Sequence, residues 1–324
     1  MPLKKIYRSI RNELKKVEKL LGRILQNTSN KSILGINRYL LESPGKRLRP
    51  ALVILSAKAA ARRPLRPQRL INIAAAMELI HMASLIHDDV VDHCDIRHHK
   101  PTINYKWNRD LSIVFGDYLY SLAFKLISTC DNMDILNCIS SATEELCEGE
   151  LIQVAERDNL SLSKRRYIVI VKKKTASLFA ASCRVGAMVS SSPRLVMEGL
   201  ARYGLNFGIA FQIIDDYLDI MSSQDELGKP AGLDVRVGEL TLPLLYLAGY
   251  NQDTFRKQFV KAQNNKDDLE HLKGILINSK AVKKTKKTIS DYAARAKRGL
   301  EVCRDSEFKQ SLIMLVDFIQ QRAN

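Results

Sequence analysis

The amino-acid sequence predicts an all-α protein built as a single large helical bundle, and two observations carry that reading. Apolar residues recur three and four positions apart through most of the 324 residues, and no run alternates with a period of two between hairpin-type turns. The 15 Gly and 9 Pro are scattered rather than gathered into a linker, and no repeat or low-complexity tract interrupts the chain. One domain is therefore expected over residues 1–324.

Each element has a local reason. The N-terminal segment to about Leu25 is amphipathic. Pro50 fits the first turn of a helix running to about Ala61, where its missing N–H has no partner to lose. Pro67 opens another, which carries Ile71, Ala74, Leu79, Met82 and Ile86 on to Asp92. Further helices are expected over about 111–129, 133–157, 164–189, 194–222 and 239–250, then shorter ones to Ile319. From about Asn264 the chain is more polar and Lys-rich, yet the helical pattern persists.

Composition narrows the function only a little. The net charge of +16 suggests an anionic partner, but no zinc finger or aromatic-basic motif points to nucleic acid. The basic run at 283–287 reads as a solvated face or a weak attraction to anionic lipid. The longest apolar stretches, 51–57 and 71–77, fall short of the ~18–20 residues of a membrane span, and the start lacks a signal-peptide h-region. The six Cys show no metal spacing and read as small residues in a reducing compartment, so a cytoplasmic protein is expected.

The chemistry is concentrated in two Asp-Asp-x-x-Asp stretches. Asp88, Asp89 and Asp92 lie in LIHDDVVD, and Asp215, Asp216 and Asp219 lie in FQIIDDYLD. At helical spacing each trio crowds one face, where like charges repel unless cations sit among them. Both flanks are apolar, which makes unpaired carboxylates costly. A third acidic pair, Asp267-Asp268, sits in polar NNKDDLEH and reads as an ordinary solvated face. Six carboxylates from two helices thus resemble a cage for hard divalent cations such as Mg²⁺.

Cations surround this cage in sequence. Ser43 to Pro50, SPGKRLRP, is a turn followed by a helix start that sets three cations beside backbone N–H groups, an arrangement suited to phosphate. His81 and His87 precede the first cluster, and a lone helical histidine is more often a satisfied core residue than a ligand. Arg97, His98, His99 and Lys100 follow it. Lys174-Thr175 ends a basic run, Gln212 shares the face of the second cluster, and Lys229 lies in a Gly/Pro-punctuated loop. Acids ringed by cations suit a diphosphate bridged to Mg²⁺. No P-loop is present.

With these motifs in hand, the chain resembles the trans-isoprenyl diphosphate synthases, the polyprenyl synthetase family. The resemblance rests on GKRLRP, ELIHMASLIHDDVVD, DIRHHKPT, GDYLYSLAF, EGELIQ, KTASLF, FQIIDDYLD and GKPAGLDVRVGELTLP together. It implies the isoprenoid synthase fold, an all-α bundle around a deep central cavity, usually as a homodimer. It further implies that Asp88, Asp92 and Asp215, supported by Asp89, Asp216 and Asp219, hold up to three Mg²⁺ ions on an allylic diphosphate, farnesyl or geranylgeranyl. Arg97, Lys174, Thr175, Gln212 and Lys229 would contact that substrate. Lys46, Arg49 and His81 would bind isopentenyl diphosphate. Weak peripheral membrane contact through the lipid product is also implied.

Two departures from the family pattern stand out. The family usually has Arg-Arg-Gly after the first cluster, and its second arginine contacts isopentenyl diphosphate; this chain reads Arg97-His98-His99. In the late Gly-Lys-x-Thr-Leu-Pro stretch the lysine is replaced by Glu239. Chain length is read from Ala83 and Ser84, about 6–8 Å along the helix from Asp88. Aromatic side chains there stop short products in the family. The stretch 77–87 has no Phe, Tyr or Trp, so a long product of the hexa- to octaprenyl kind is expected, with a floor from Phe115 or Phe124. The competing readings are a short-chain synthase, a weakly active or non-catalytic partner subunit of a heteromeric synthase, and a terpene cyclase, which typically lacks the GKRLRP turn.

Overall fold

A computed structural model describes residues 3–42, 45–97, 99–222 and 231–323. Fourteen helices of seven or more residues follow one another among them. They are α1 (Arg11–Gln26), α2 (Lys31–Leu41), α3 (Leu48–Ala60), α4 (Pro67–Val91), α5 (Arg109–Ser128), α6 (Met133–Ala155), α7 (Lys164–Val171) and α8 (Ser177–Val189). Then come α9 (Arg194–Met221), α10 (Leu242–Ala248), α11 (Gln252–Asn264), α12 (Lys266–Ile277), α13 (Lys280–Gly299) and α14 (Glu307–Gln321). Many starts are fixed by a side chain that satisfies an otherwise orphaned N–H. Asn108 accepts from Leu111 N at 2.8 Å, Asn132 from Ile135 N at 2.9 Å and Ser306 from Lys309 N at 3.2 Å.

Helices α3, α4, α8 and α9 form the centre. α4 is apolar on every side, and a helix of that kind must be surrounded. It packs on α5 and α3, while α8 packs on α3 and α9, and α9 on α13. The buried apolar side chains form one contiguous core from Ile6 to Ala323. By length and apolarity both α4 and α5 could cross a membrane, which the reading of short apolar runs did not anticipate. In α4, 78% of the relevant window is buried in the bundle, as suits a core helix; in α5 only 33% is.

Several local expectations are corrected. α3 starts at Leu48, so Pro50 is its third residue, still within the turn whose N–H groups lack helical partners. α2 was not anticipated. The expected helix over 164–189 is interrupted by a π-helical turn, Lys172–Ala176, and the helix expected from 239 begins at Leu242. A two-stranded hairpin pairs Ile96–Arg97 with Lys100–Pro101, each strand too short to show alternation.

Candidate active site

α4 and α9 bring the two acidic clusters to one cavity of about 490 Å³, within the range of small-molecule sites. Asp88, Asp89 and Asp92 line it from α4 and its end, and Asp215 and Asp216 from α9. Asp219 does not. It is 1% exposed, its carboxylate accepting from Asp234 N at 3.2 Å and its carbonyl from Gly232 N at 2.9 Å. These bonds tether the start of the short helix Leu233–Arg236, and five of the six expected carboxylates lie on the cavity wall.

Each cluster is partly neutralised by arginine. Arg97 Nε donates to Asp89 Oδ1 at 2.7 Å from the hairpin, and Arg157 Nη2 to Asp92 Oδ1 at 2.5 Å. Arg322 Nη1 lies 2.9 Å from Asp215 Oδ1. Burial raises the Asp89 carboxyl to about 6, against the pull of Arg97. Burial likewise raises Asp88, opposed by Lys174.

Lys174 sits in the π turn. Its Nζ meets Glu150 Oε2 at 2.6 Å, and its charge is secure: burial pulls its pKa down, but Asp88, Glu150, Glu239 and Asp92 together carry it above the usual lysine range. Burial raises Glu150 to about 7. Next in the turn, Thr175 donates to Gln212 Oε1 at 2.7 Å, and Gln212 Nε2 donates to Asp216 Oδ1 at 2.7 Å. The Tyr167 hydroxyl donates to the other Asp216 oxygen. Asp216 is nonetheless raised to about 7 by burial, against both donors. The expected contact residues Thr175 and Gln212 thus form one hydrogen-bonded relay with the second cluster.

At the start of α3 the three cations of KRLR diverge. Arg47, at φ 52°, turns away to pair with Glu18 at 2.5 Å and with buried Glu78 at 2.8 Å. Lys46 and Arg49 line the cavity without such a pairing among the described residues, and the Arg47–Glu78 pair lies on its wall as well. Arg49 is lowered to about 10 by burial, against the pull of Glu78, Asp88 and Asp215, and so stays charged at neutral pH; its guanidinium lies 4.4 Å over the Phe179 ring. His81 also lines the cavity, with its pKa well below the usual range through burial and three nearby arginines. Arg49 Nε and His81 Nδ1 are buried with no hydrogen-bond partner among the described residues. His87 is different: its ring Nε2 lies 3.0 Å from the Ile113 carbonyl and packs over Gly116, a satisfied structural residue.

The chain-length residues divide. Ser84 lines the cavity, with its hydroxyl bonded to the His81 carbonyl at 2.9 Å. Ala83 is fully buried and does not line it, nor do Phe115 and Phe124, so of the expected wall and floor residues only Ser84 faces this cavity. His98 and Lys229 lie outside the described residues. Arg157 and Arg322 were not anticipated, for a lone arginine in a polar stretch carries no sequence signal. Glu150 could have been found, since it lies in the EGELIQ motif.

No three His, Cys, Asp or Glu among the described residues converge closely enough to hold an ion by themselves. The donor set is nonetheless all carboxylate oxygen, which suits a hard cation that takes its remaining ligands from water and phosphate. An all-α bundle that sets two acidic clusters and a ring of cations around one cavity defines a class of enzymes acting on diphosphate esters.

The chain belongs to the polyprenyl synthetase family, whose sequence pattern matches residues 30–276. It is a prenyltransferase of that family. It is 34% identical over 294 residues to heptaprenyl diphosphate synthase component 2 of Geobacillus stearothermophilus, covering 90% of this chain and 88% of that one. It is 32% identical to the geranylgeranyl diphosphate synthase of Methanosarcina mazei, covering 99% of each. The crystal structure of a Caulobacter crescentus CB15 polyprenyl synthase, complexed with calcium and isoprenyl diphosphate, superposes with a TM-score of 0.93 at 32% identity, over 100% of this chain and 98% of that one.

Proposed function

We propose that this protein, as one domain over residues 1–324, is an all-trans polyprenyl diphosphate synthase. It condenses isopentenyl diphosphate head-to-tail with an allylic diphosphate, farnesyl or geranylgeranyl, in the cytoplasm. The observation that carries the reading is one cavity lined by both acidic clusters and by Lys46, Arg49, Arg97 and Lys174. Carboxylates that suit a divalent cation, set beside fixed cations, match a metal-bound diphosphate.

Asp88, Asp92 and Asp215 would hold Mg²⁺, up to three ions per site. When bound, these ions supply charge where the allylic C–O bond breaks and the diphosphate departs. Lys174 adds a cation whose charge is favoured by the carboxylates around it, with Arg97, Thr175, Gln212 and Lys229 as further contacts. Lys46, Arg49 and His81 grip isopentenyl diphosphate, and His98 is a further contact to it. Leu85, Ile86, Leu146 and Ile170 form an apolar wall that keeps water from the allylic cation, so the isopentenyl double bond reaches it first. The departing diphosphate accepts the proton that is then lost.

A long product, of roughly thirty to forty carbons, is supported by Ser84 on the wall one turn from Asp88 and by the lack of an aromatic residue over 77–87. A homodimer is supported by large apolar side chains that α5 and α6 leave exposed, Val114, Met133 and Leu151 among them. The relative named as a component of a two-part synthase keeps a heteromeric assembly as the second reading. The test is purified protein with Mg²⁺, farnesyl diphosphate and labelled isopentenyl diphosphate. Label in a longer lipid supports the proposal. Label only after a second subunit is added supports the heteromer, and a hydrocarbon made without isopentenyl diphosphate contradicts both.

A further inference from the structure

Arg157 belongs to neither acidic cluster and to none of the motifs that carry the resemblance. It lies two residues past the end of α6, and its guanidinium is held on several sides. Nη2 donates to Glu239 Oε1 at 3.0 Å and Nε to the same oxygen at 3.1 Å, while Nη1 donates to the Val91 carbonyl at 3.2 Å. Gln153 donates to the other oxygen of Glu239, which is only 9% exposed. The remaining contact of Arg157 is with Asp92, at 2.5 Å.

These partners are not equivalent. Glu239, Gln153 and the Val91 carbonyl form a fixed mount. Asp92 is the partner a divalent cation would contest. Once a cation takes Asp92, the guanidinium keeps its charge, since arginine does not deprotonate in proteins, and the N–H that faced Asp92 needs a new acceptor. Asp92 and Glu239, which Arg157 bridges, both line the cavity beside Lys174; Arg157 itself is not on the lining and meets the cavity through these two carboxylates. A diphosphate arriving with the cation offers the oxygens that a guanidinium binds best.

We propose that Arg157 is a further diphosphate-binding residue of this enzyme: mounted by Glu239 and Gln153, it occupies Asp92 as a placeholder for the metal and turns to the substrate diphosphate when the metal arrives. The inference rests on the reading of the cavity as a metal–diphosphate site. It also gives Glu239 a role. A lysine at 239 would stand against Arg157 and Lys174, whereas the glutamate anchors a cation brought from the end of α6.

The test uses the full chain and two titrations by calorimetry: Mn²⁺ alone, then inorganic pyrophosphate in saturating Mg²⁺. Arg157→Gln removes the competitor for Asp92, so it should bind Mn²⁺ about fivefold more tightly, the scale of one partly exposed ion pair. It should bind pyrophosphate about tenfold more weakly, the scale of one charged hydrogen bond. The opposite signs are the signature. A purely structural latch would weaken both or change neither, and either result overturns the proposal. If Arg157→Gln does not fold, Arg157→Lys decides: it should hold Mn²⁺ affinity near wild type and weaken pyrophosphate about threefold, and unchanged pyrophosphate binding overturns the proposal. Wild type that binds neither Mn²⁺ nor pyrophosphate would sink the reading of the cavity itself; wild type that binds both, with no sign reversal in the variant, sinks only the role of Arg157.

Discussion

Asp88 and Asp215 come from helices far apart in sequence and reach one cavity, Asp88 beside Lys174 and Arg97 and Asp215 paired with the partly exposed Arg322. Asp88→Ala and Asp215→Ala should each lower turnover by about a thousandfold or more at saturating Mg²⁺, with the far-UV circular dichroism unchanged. Near-normal turnover in either variant would remove that cluster from the chemistry.

Asp216 gives a pH test. Its carboxyl is raised from 3.8 to about 7 by burial, so between those values the unfolded chain binds fewer protons there than the folded one. The stability it contributes is present below about pH 4 and is lost as pH rises through 7. Thermal midpoints taken in EDTA should therefore fall more steeply from pH 5 to 7.5 in wild type than in Asp216→Asn, which stays neutral. Parallel curves would contradict this.

The acidic clusters were legible in the sequence because crowded carboxylates in apolar surroundings demand cations. Arg157 and Arg322 were not, because distance along the chain hides which carboxylate a lone arginine meets. Lys46 and Arg49 were legible only as a run, and the left-handed turn at Arg47, which sends it to Glu18 and Glu78, has no signature in that run.

At the scale of elements, helix positions followed apolar periodicity closely, but the π turn that aims Lys174 did not show. Its five residues bond i→i+5 in place of i→i+4 inside a run that otherwise stays helical, a difference periodicity does not register. Its position depends on α6. A Cβ at Gly149 would sit 2.2 Å from Lys174 N. In an open helix Gly→Ala stabilises by about 1 kcal/mol; here the clash is with backbone, so Gly149→Ala should destabilise by about 1–3 kcal/mol in denaturant melts and reduce turnover as Lys174 moves. A more stable variant would contradict the close approach.

The wall of the cavity offers a second element-scale test. Ser84→Phe should shorten the product to about fifteen or twenty carbons, because the ring enters the cavity one turn, about 6 Å, from Asp88. Ala83→Phe, in contrast, should chiefly destabilise the α4 packing, since Ala83 is fully buried. A long product from Ser84→Phe would remove Ser84 from the path of the tail.

For the whole molecule, the fold class was evident from one period sustained over most of the chain, and a bundle followed from helices too long and apolar to stand alone. What periodicity could not show was the outer face. α5 and α6 expose Val114 at 67%, Met133 at 67% and Leu151 at 71%, side chains that favour a covering partner. If the chain is the proposed homodimer and this surface is its interface, Leu151→Lys should sediment as monomer where wild type sediments as dimer; a variant that sediments like wild type contradicts that interface.

The central claim is that this cavity extends an allylic diphosphate by several isopentenyl units. The most direct measurement is the mass of the lipid formed from farnesyl diphosphate and isopentenyl diphosphate by the purified chain in Mg²⁺. The account predicts a polyprenyl product well beyond twenty carbons, abolished by EDTA and by Asp88→Ala. A chain that makes no product alone, or stops after one addition, contradicts it.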